Sequence, residues 1–403
     1  MRKPLLLVSL TALAACSGGG PQTAGGTAVV GGGSGTGTNN SNSSSHTFEN
    51  PTEAKTYSAI GGIHSYSYST DERTAAGQYN QLYAGNASTA RNSGITVAYD
   101  PRDAIFEITI ADAAAAGVDQ TLRFQDPVHR TDFGGAEEPQ GGTPDIPGKS
   151  IHYLEAGSGT GQLRYDLTQS DTFPVGEADG SRDVSTFFYQ KPGTTTKYVT
   201  YAGFLRNRTA IVEITNPDSS KYLRQDHVLD RAAFVFGERT SNSNVPTSGT
   251  ATYTGDMLAT MVYNPLIDTQ ADAPTYFQWI TGSASTNIDF GANTFTSTMT
   301  GTVTAPNYDV YTSRTHVLDA GAGFSASGSG TIDLVNKGGF AGQMGSAGFT
   351  QGGASIPVTI AGSSIDGAFY GPNAQEVGGG FRIVGGTPDE RIDILGSFVG
   401  TKP

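Results

Sequence analysis

Cysteine, tryptophan and charge are all scarce in this chain. Cys16 and Trp279 are the only residues of their kind among 403, and Asp, Glu, Lys and Arg together make up 15%. A single thiol excludes a disulfide framework, so stability must come from burial and strand pairing. Basic residues number 24 against 37 acidic ones, a formal net charge of −13. That sign argues against nucleic acid or an anionic membrane as partner. Beyond the first residues, no apolar run is long enough to cross a bilayer as a helix. Compact metal spacings are missing as well. His46, His64, His129, His152, His227 and His316 form neither His-x-His nor His-Glu-x-x-His, so no metal and no cofactor is implied.

What is present begins with MRKPLLLVSLTALAAC. Arg2 and Lys3 precede an apolar run from Leu5 to Ala15 that ends in small residues at Cys16. A basic head and a short apolar core read as a secretory signal. Leu13-Ala14-Ala15-Cys16 resembles the lipobox of bacterial lipoproteins, which implies cleavage before Cys16 and acylation of that residue. Several acyl chains make a stable anchor where one alone holds weakly. Ordinary secretion with a chance cysteine is the plainer alternative. Ser17, rather than Asp, follows the cysteine, which in such lipoproteins goes with the outer membrane. Residues 17–48 are mostly Gly, Ser, Thr and Asn. They have too little apolar surface to offset their ordering entropy, and predict a disordered tether reaching on the order of 30 Å.

The pattern that sets the fold class lies at 294–304, where every even position is threonine and Phe295, Ser297, Met299, Gly301 and Val303 alternate with them. Strict alternation of this length predicts a strand with one wet and one buried face. The same period recurs in 324–334, 339–344, 356–360, 365–369, 377–383 and 392–400, and earlier around Ala251 and Tyr253 and at 284–290. About eight antiparallel strands follow, joined by short turns. Their inward positions mix large side chains with glycine or alanine, as the interior of a small closed barrel requires. A two-sheet sandwich would show the same alternation.

Within this half, GAFYGPNAQEVGGGF at 367–381 raises the question of a phosphate loop. Such a loop ends in Gly-Lys-Ser/Thr and leads into a helix. Here that ending is absent and the following Gly-Gly-Phe-Arg-Ile-Val alternates like a strand, so the run is a hairpin turning at Gly371-Pro372-Asn373. This hairpin, with LGSFVGTK at 395–402, resembles the closing hairpin and last strand of the barrel of transferrin-binding protein B and its single-lobed relatives. FVFGERT and PTSGTATYTGDM, between 234 and 257, resemble the start of that barrel. The residues that carry the likeness are Gly367, Phe369, Tyr370, Gly371, Pro372, Glu376, Gly379, Phe381, Gly396 and Phe398, with a structural role.

The resemblance implies an all-β chain in which a β-rich handle precedes an eight-stranded antiparallel up-and-down barrel. The expected divisions are a signal peptide at 1–15, the lipidated Cys16 and tether at 16–48, the handle at 49–240 and the barrel at 241–403. It also implies a non-catalytic, outer-membrane-anchored surface lipoprotein. Its partner would be a protein ligand or a carrier of haem or iron, which places the chain in iron acquisition. Export in many members depends on a dedicated outer-membrane translocon. Transferrin-binding protein B has two handle–barrel lobes where this chain has room for one. No ligand-contacting motif carries over, so the ligand is not named. A structural or adhesive envelope lipoprotein without soluble ligand is the competing reading.

The N-terminal half reads as β-rich at 63–70, 95–100, 104–110, 121–125, 185–190 and 197–205, with a turn at Asp100-Pro101-Arg102-Asp103. The loops at 134–148 and 176–183 are long and polar; that at 134–148 is a candidate recognition segment, with mere surface decoration as the alternative. GEADGSRD lacks the distant acid of a calcium loop, because position 188 is Phe, and reads as a solvated turn. The neighbouring acids Asp71-Glu72, Glu137-Glu138 and Asp389-Glu390 would point to opposite faces of a strand, which disfavours shared acid–base work. Trp279, in TYFQWITG, reads as core packing in preference to a binding-face aromatic.

Overall fold

The structure is a computed structural model. It describes residues 46–403 apart from 72–73, 85–92, 111–119, 126–138, 140–141, 161–179, 265, 267–268, 307–317 and 387–390. Cys16, the signal and nearly all of the tether lie outside the described residues. So do residues 134–138 and 140–141 of the loop at 134–148 and half of that at 176–183.

The N-terminal part is built from ten strands. They are β1 (Lys55–Ser58), β2 (Ile60–Asp71), β3 (Thr74–Ala84), β4 (Ile95–Asp100), β5 (Ile105–Ile110), β6 (Gln120–Gln125), β7 (Ile151–Thr160), β8 (Ser181–Gln190), β9 (Val199–Thr215) and β10 (Lys221–Gly237). Four of them form a small sheet in the order β1-β4-β5-β6, and six form a larger one in the order β3-β2-β10-β9-β8-β7. The expected turn after Asp100 is there: its Oδ1 accepts the Arg102 N–H at 3.0 Å. The small sheet lays Val97, Tyr99, Phe106 and Ile108 on Phe187, Phe204 and Phe234 of the larger one, making a first core.

A barrel follows, made from β11 (Thr250–Asn264), β12 (Tyr276–Asp289), β13 (Thr294–Val303), β14 (Gly323–Asp333), β15 (Gly339–Gln351), β17 (Ile360–Tyr370), β18 (Glu376–Gly385) and β19 (Arg391–Thr401). Each stave pairs antiparallel with the next, and β11 pairs with both β12 and β19, so the cylinder of eight is closed. Closure chooses the barrel over the sandwich and removes the free edges that long strands otherwise present. The stretch at 356–360 is not a stave of its own. Residues Ala354–Pro357 (β16) fold back on the end of β15, and Ile360 already belongs to β17.

The lumen is packed solid by Met257, Met299, Phe295, Phe340, Phe381 and Phe398 among others. Inward glycines make room for rings. A Cβ on Gly367 would lie 2.0 Å from Phe340 Cζ, and one on Gly396 would lie 2.2 Å from Phe381 Cε1. β13 keeps one face wet and one buried, as its alternation requires. β18 and β19 are buried on both faces, because the six-stranded sheet lies against their outer side. Strands covered twice lose the polar alternation and read as apolar runs.

Candidate functional site

The run at 367–381 is a hairpin, and its geometry gives every motif residue a place. β17 ends at Tyr370, residues 371–374 turn, and β18 starts at Glu376. Gly371 holds φ at +80°, and a side chain there would press on Tyr198, 2.6 Å from the position of its Cβ. Phe369, Phe381 and Phe398 point into the lumen, while Tyr370 points outward into the contact with the N-terminal sheet. Pro372 is exposed at the tip.

Glu376 also faces outward, and it reaches across to the N-terminal part. Its carboxylate accepts the backbone N–H groups of Lys197 at 2.7 Å, Tyr198 at 2.8 Å and Val199 at 3.2 Å, where β9 begins. Burial pushes its pKa up, and the three backbone donors oppose that rise. The chain entering the barrel is tied to the same turn. Thr240 N donates to Phe369 O at 2.9 Å, and Gly371 N donates to Glu238 O at 3.0 Å. The glycine-rich motif is therefore a joint between the two halves of the fold.

From this joint a seam runs along the outer wall of the barrel. Trp279 is buried in it, edge-on to Phe188 at 5.3 Å, with its indole N–H donating to Gly142 O at 2.8 Å. It is packed, as expected, but between sheet and barrel rather than inside either. On β11, Asp256 accepts Gln190 Nε2 at 3.0 Å and pairs with Lys149 at 2.7 Å. Farther along lies a buried charged group. Arg382 on β18 binds Asp393 on β19 through Nε at 3.0 Å and Nη2 at 2.6 Å, and also donates to Tyr83 Oη at 3.1 Å. Burial pushes the Asp393 carboxyl up and the Arg382 guanidinium down, with Arg391 adding to the latter, and the bidentate contact between them opposes both shifts. His64 on β2 faces this pair, its Nδ1 3.8 Å from Asp393 Oδ1. Arg231 on β10, fully buried, lies over the Phe277 ring at 5.0 Å.

The far end of the six-stranded sheet carries a cleft of about 520 Å³. It is lined by Ser69, Thr70, Asp71, Tyr79, Asn80, Tyr222 and Arg224. Strand register brings these together, since Ser69 stands opposite Tyr79 and Asp71 opposite Arg224. Its floor is fixed: Ser69 Oγ donates to Asp226 at 2.7 Å and Arg224 pairs with Asp226 at 2.8 Å. Asn80, at φ +53°, donates to Ser69 Oγ at 3.3 Å. Two tyrosines beside a polar floor can hold a ligand by ring contact and hydrogen bonds. Sequence reasoning singled out none of these positions except Asp71, read there only as half of an acidic pair. Among the described residues no group of three His, Cys, Asp or Glu could hold a metal ion. His227 instead stacks on Tyr68 at 4.6 Å; His129 and His316 lie outside the described residues.

Comparison with known proteins bears on the barrel. Residues 245–402 match a family described as the C-lobe and N-lobe beta barrels of Tf-binding protein B. Among solved structures, a double mutant of transferrin binding protein B from Haemophilus parasuis is 12% identical, with 88% of this chain and 76% of that one covered and a TM-score of 0.30. Intact Ap-TbpB, with its N and C lobes, is 11% identical over 89% and 79% of the two chains, at a TM-score of 0.29. The isotype 1 protein of serogroup B Neisseria meningitidis is 13% identical over 88% and 77%, at 0.23. No curated protein matches the chain.

Proposed function

We propose, from the premise of a transferrin-binding protein B type of barrel over residues 245–402, that this chain is a lipid-anchored surface binding protein. In this reading residues 49–240 are the handle that grasps and 241–403 the barrel that carries it. Acylated Cys16 holds the chain to the outer membrane, with a surface-lipoprotein translocon as export partner. The ligand is a protein or a carrier of haem or iron; the relatives' names make transferrin the first candidate. The observation that carries the reading is the division of the fold. The barrel interior is filled by its own rings, whereas the six-stranded sheet presents an open cleft at its free end. A filled lumen supports a rigid pedestal, and a cleft on a sheet end supports contact with a ligand much larger than itself.

Pull-down with iron-loaded and iron-free transferrin, haem proteins and chelated iron tests the binding. Tyr79→Ala with Tyr222→Ala should weaken capture by roughly tenfold to a hundredfold, the range for aromatic contact residues. Capture by none of these ligands would defeat the iron-carrier reading. Radiolabelled palmitate should enter the wild-type chain and not Cys16→Ala.

A further inference from the structure

His64 is wholly buried, and neither ring nitrogen has a hydrogen-bond partner. An imidazole has two polar nitrogens, and leaving both bare in a dry site is costly. The groups around it come from every element of the seam. Arg382 and Asp393 face it from the barrel, and Arg231 stands directly opposite on β10. Tyr83 on β3 approaches edge-on at 6.4 Å and Phe277 on β12 at 5.8 Å. Arg391 lies over the Tyr83 ring at 4.1 Å. Asp230 is turned to the opposite face, where it takes Ser65 and Arg208. Among the described residues, two buried guanidiniums and one carboxylate, the latter bound to Arg382, thus stand around the imidazole.

We propose that the seam between the six-stranded sheet and the barrel is a proton-sensitive latch, released by protonation of His64. The closed seam has no place for a third positive charge beside Arg231 and Arg382. Burial first, then Arg382 and Arg231, hold the His64 pKa well below its ordinary value. In an opened seam the ring regains water and a pKa near 6.5. The open form then binds a proton that the closed form refuses. Closure is at full strength above about pH 6.5 and weakens as the pH falls toward the depressed value, the opening equilibrium rising about tenfold per unit. Asp393 works in the other sense, since burial raises its pKa, and its two bonds to Arg382 oppose that rise. The apolar contacts of the seam form clusters distinct from the lumen and from the core between the two N-terminal sheets.

The chain carries its own reporter, because the sole tryptophan is in the seam. Full-length protein is titrated from about pH 7.5 to about pH 4.5 while Trp279 emission, acrylamide quenching and far-ultraviolet circular dichroism are followed. In the wild type, quencher access should rise about tenfold per unit below about pH 6.5 with the β signal unchanged. His64→Phe, which fills the site without titrating, should keep the indole protected over the same range. Should that variant not fold, His64→Gln serves instead. The latch is refuted if a non-titrating variant follows the wild-type curve. It is equally refuted if Trp279 stays protected until the β signal itself collapses.

Discussion

Replacing Glu376 with alanine removes one side chain from the barrel and three acceptor contacts from the start of β9. The bonds to Lys197 and Tyr198, at 2.7 and 2.8 Å, are short and charge-assisted. Each contributes about 1.5 kcal/mol net. The third, at 3.2 Å, is weak, but Val199 is buried and its N–H would be left without water. Lys197 is exposed, so solvent recovers part of its loss, and relief from burying the carboxylate recovers a little more. The balance is about 3 kcal/mol against docking of β9, roughly a hundredfold in the local opening equilibrium. Hydrogen exchange read by mass spectrometry checks it. Amides at 197–203 should lose about two orders of magnitude of protection, while those of 294–303 on the far wall keep theirs. Unchanged exchange at 197–203 would show that the carboxylate is a bystander and that the motif does not act as a joint.

Other outcomes are expected on the same reasoning. Met299→Ala opens a cavity in the lumen and should cost about 2–4 kcal/mol in chemical denaturation, whereas Thr298→Ala, one residue away and facing water, should stay within about 0.5 kcal/mol. Equal effects at the two positions would contradict the in–out alternation of β13. Arg382→Met strands Asp393 in a dry seam and should cost about 3–5 kcal/mol, and adding Asp393→Leu should recover most of it. If the double variant is as unstable as the single one, the loss lies in packing, not in the unpaired charge.

Sheet content and hairpin were legible because each rests on near neighbours in sequence, whereas closure of the barrel rests on the pairing of β11 with β19. Thr294–Val303 declares its two faces by itself, and Gly371-Pro372-Asn373 declares a turn. The long ribbon of β9 and β10 was legible only in part. Lys221–Gly237 mixes Arg, Asp and His with apolar residues because one of its faces meets the barrel and the other carries polar pairs such as Ser69–Asp226 and Arg208–Asp230. No single period describes such a strand. Nor could the outward side of β19 announce its burial: alternation shows that Asp393 and Ser397 leave the lumen, and says nothing of what lies beyond.

The sequence by itself determined that this chain pairs strands, that those of its tail turn one face to an apolar interior, and that 367–381 turns back on itself. These follow from side-chain alternation and backbone preference, which act over a few residues. Tertiary structure alone decided that Glu376 grips the start of β9, that His64 faces Arg382 and Asp393, and that Tyr79 and Tyr222 share a cleft. Glu376 and the three amides it accepts stand 177 to 179 residues apart along the chain. Only the docking of one sheet on another, driven by apolar burial on both sides of a strand, brings them within reach.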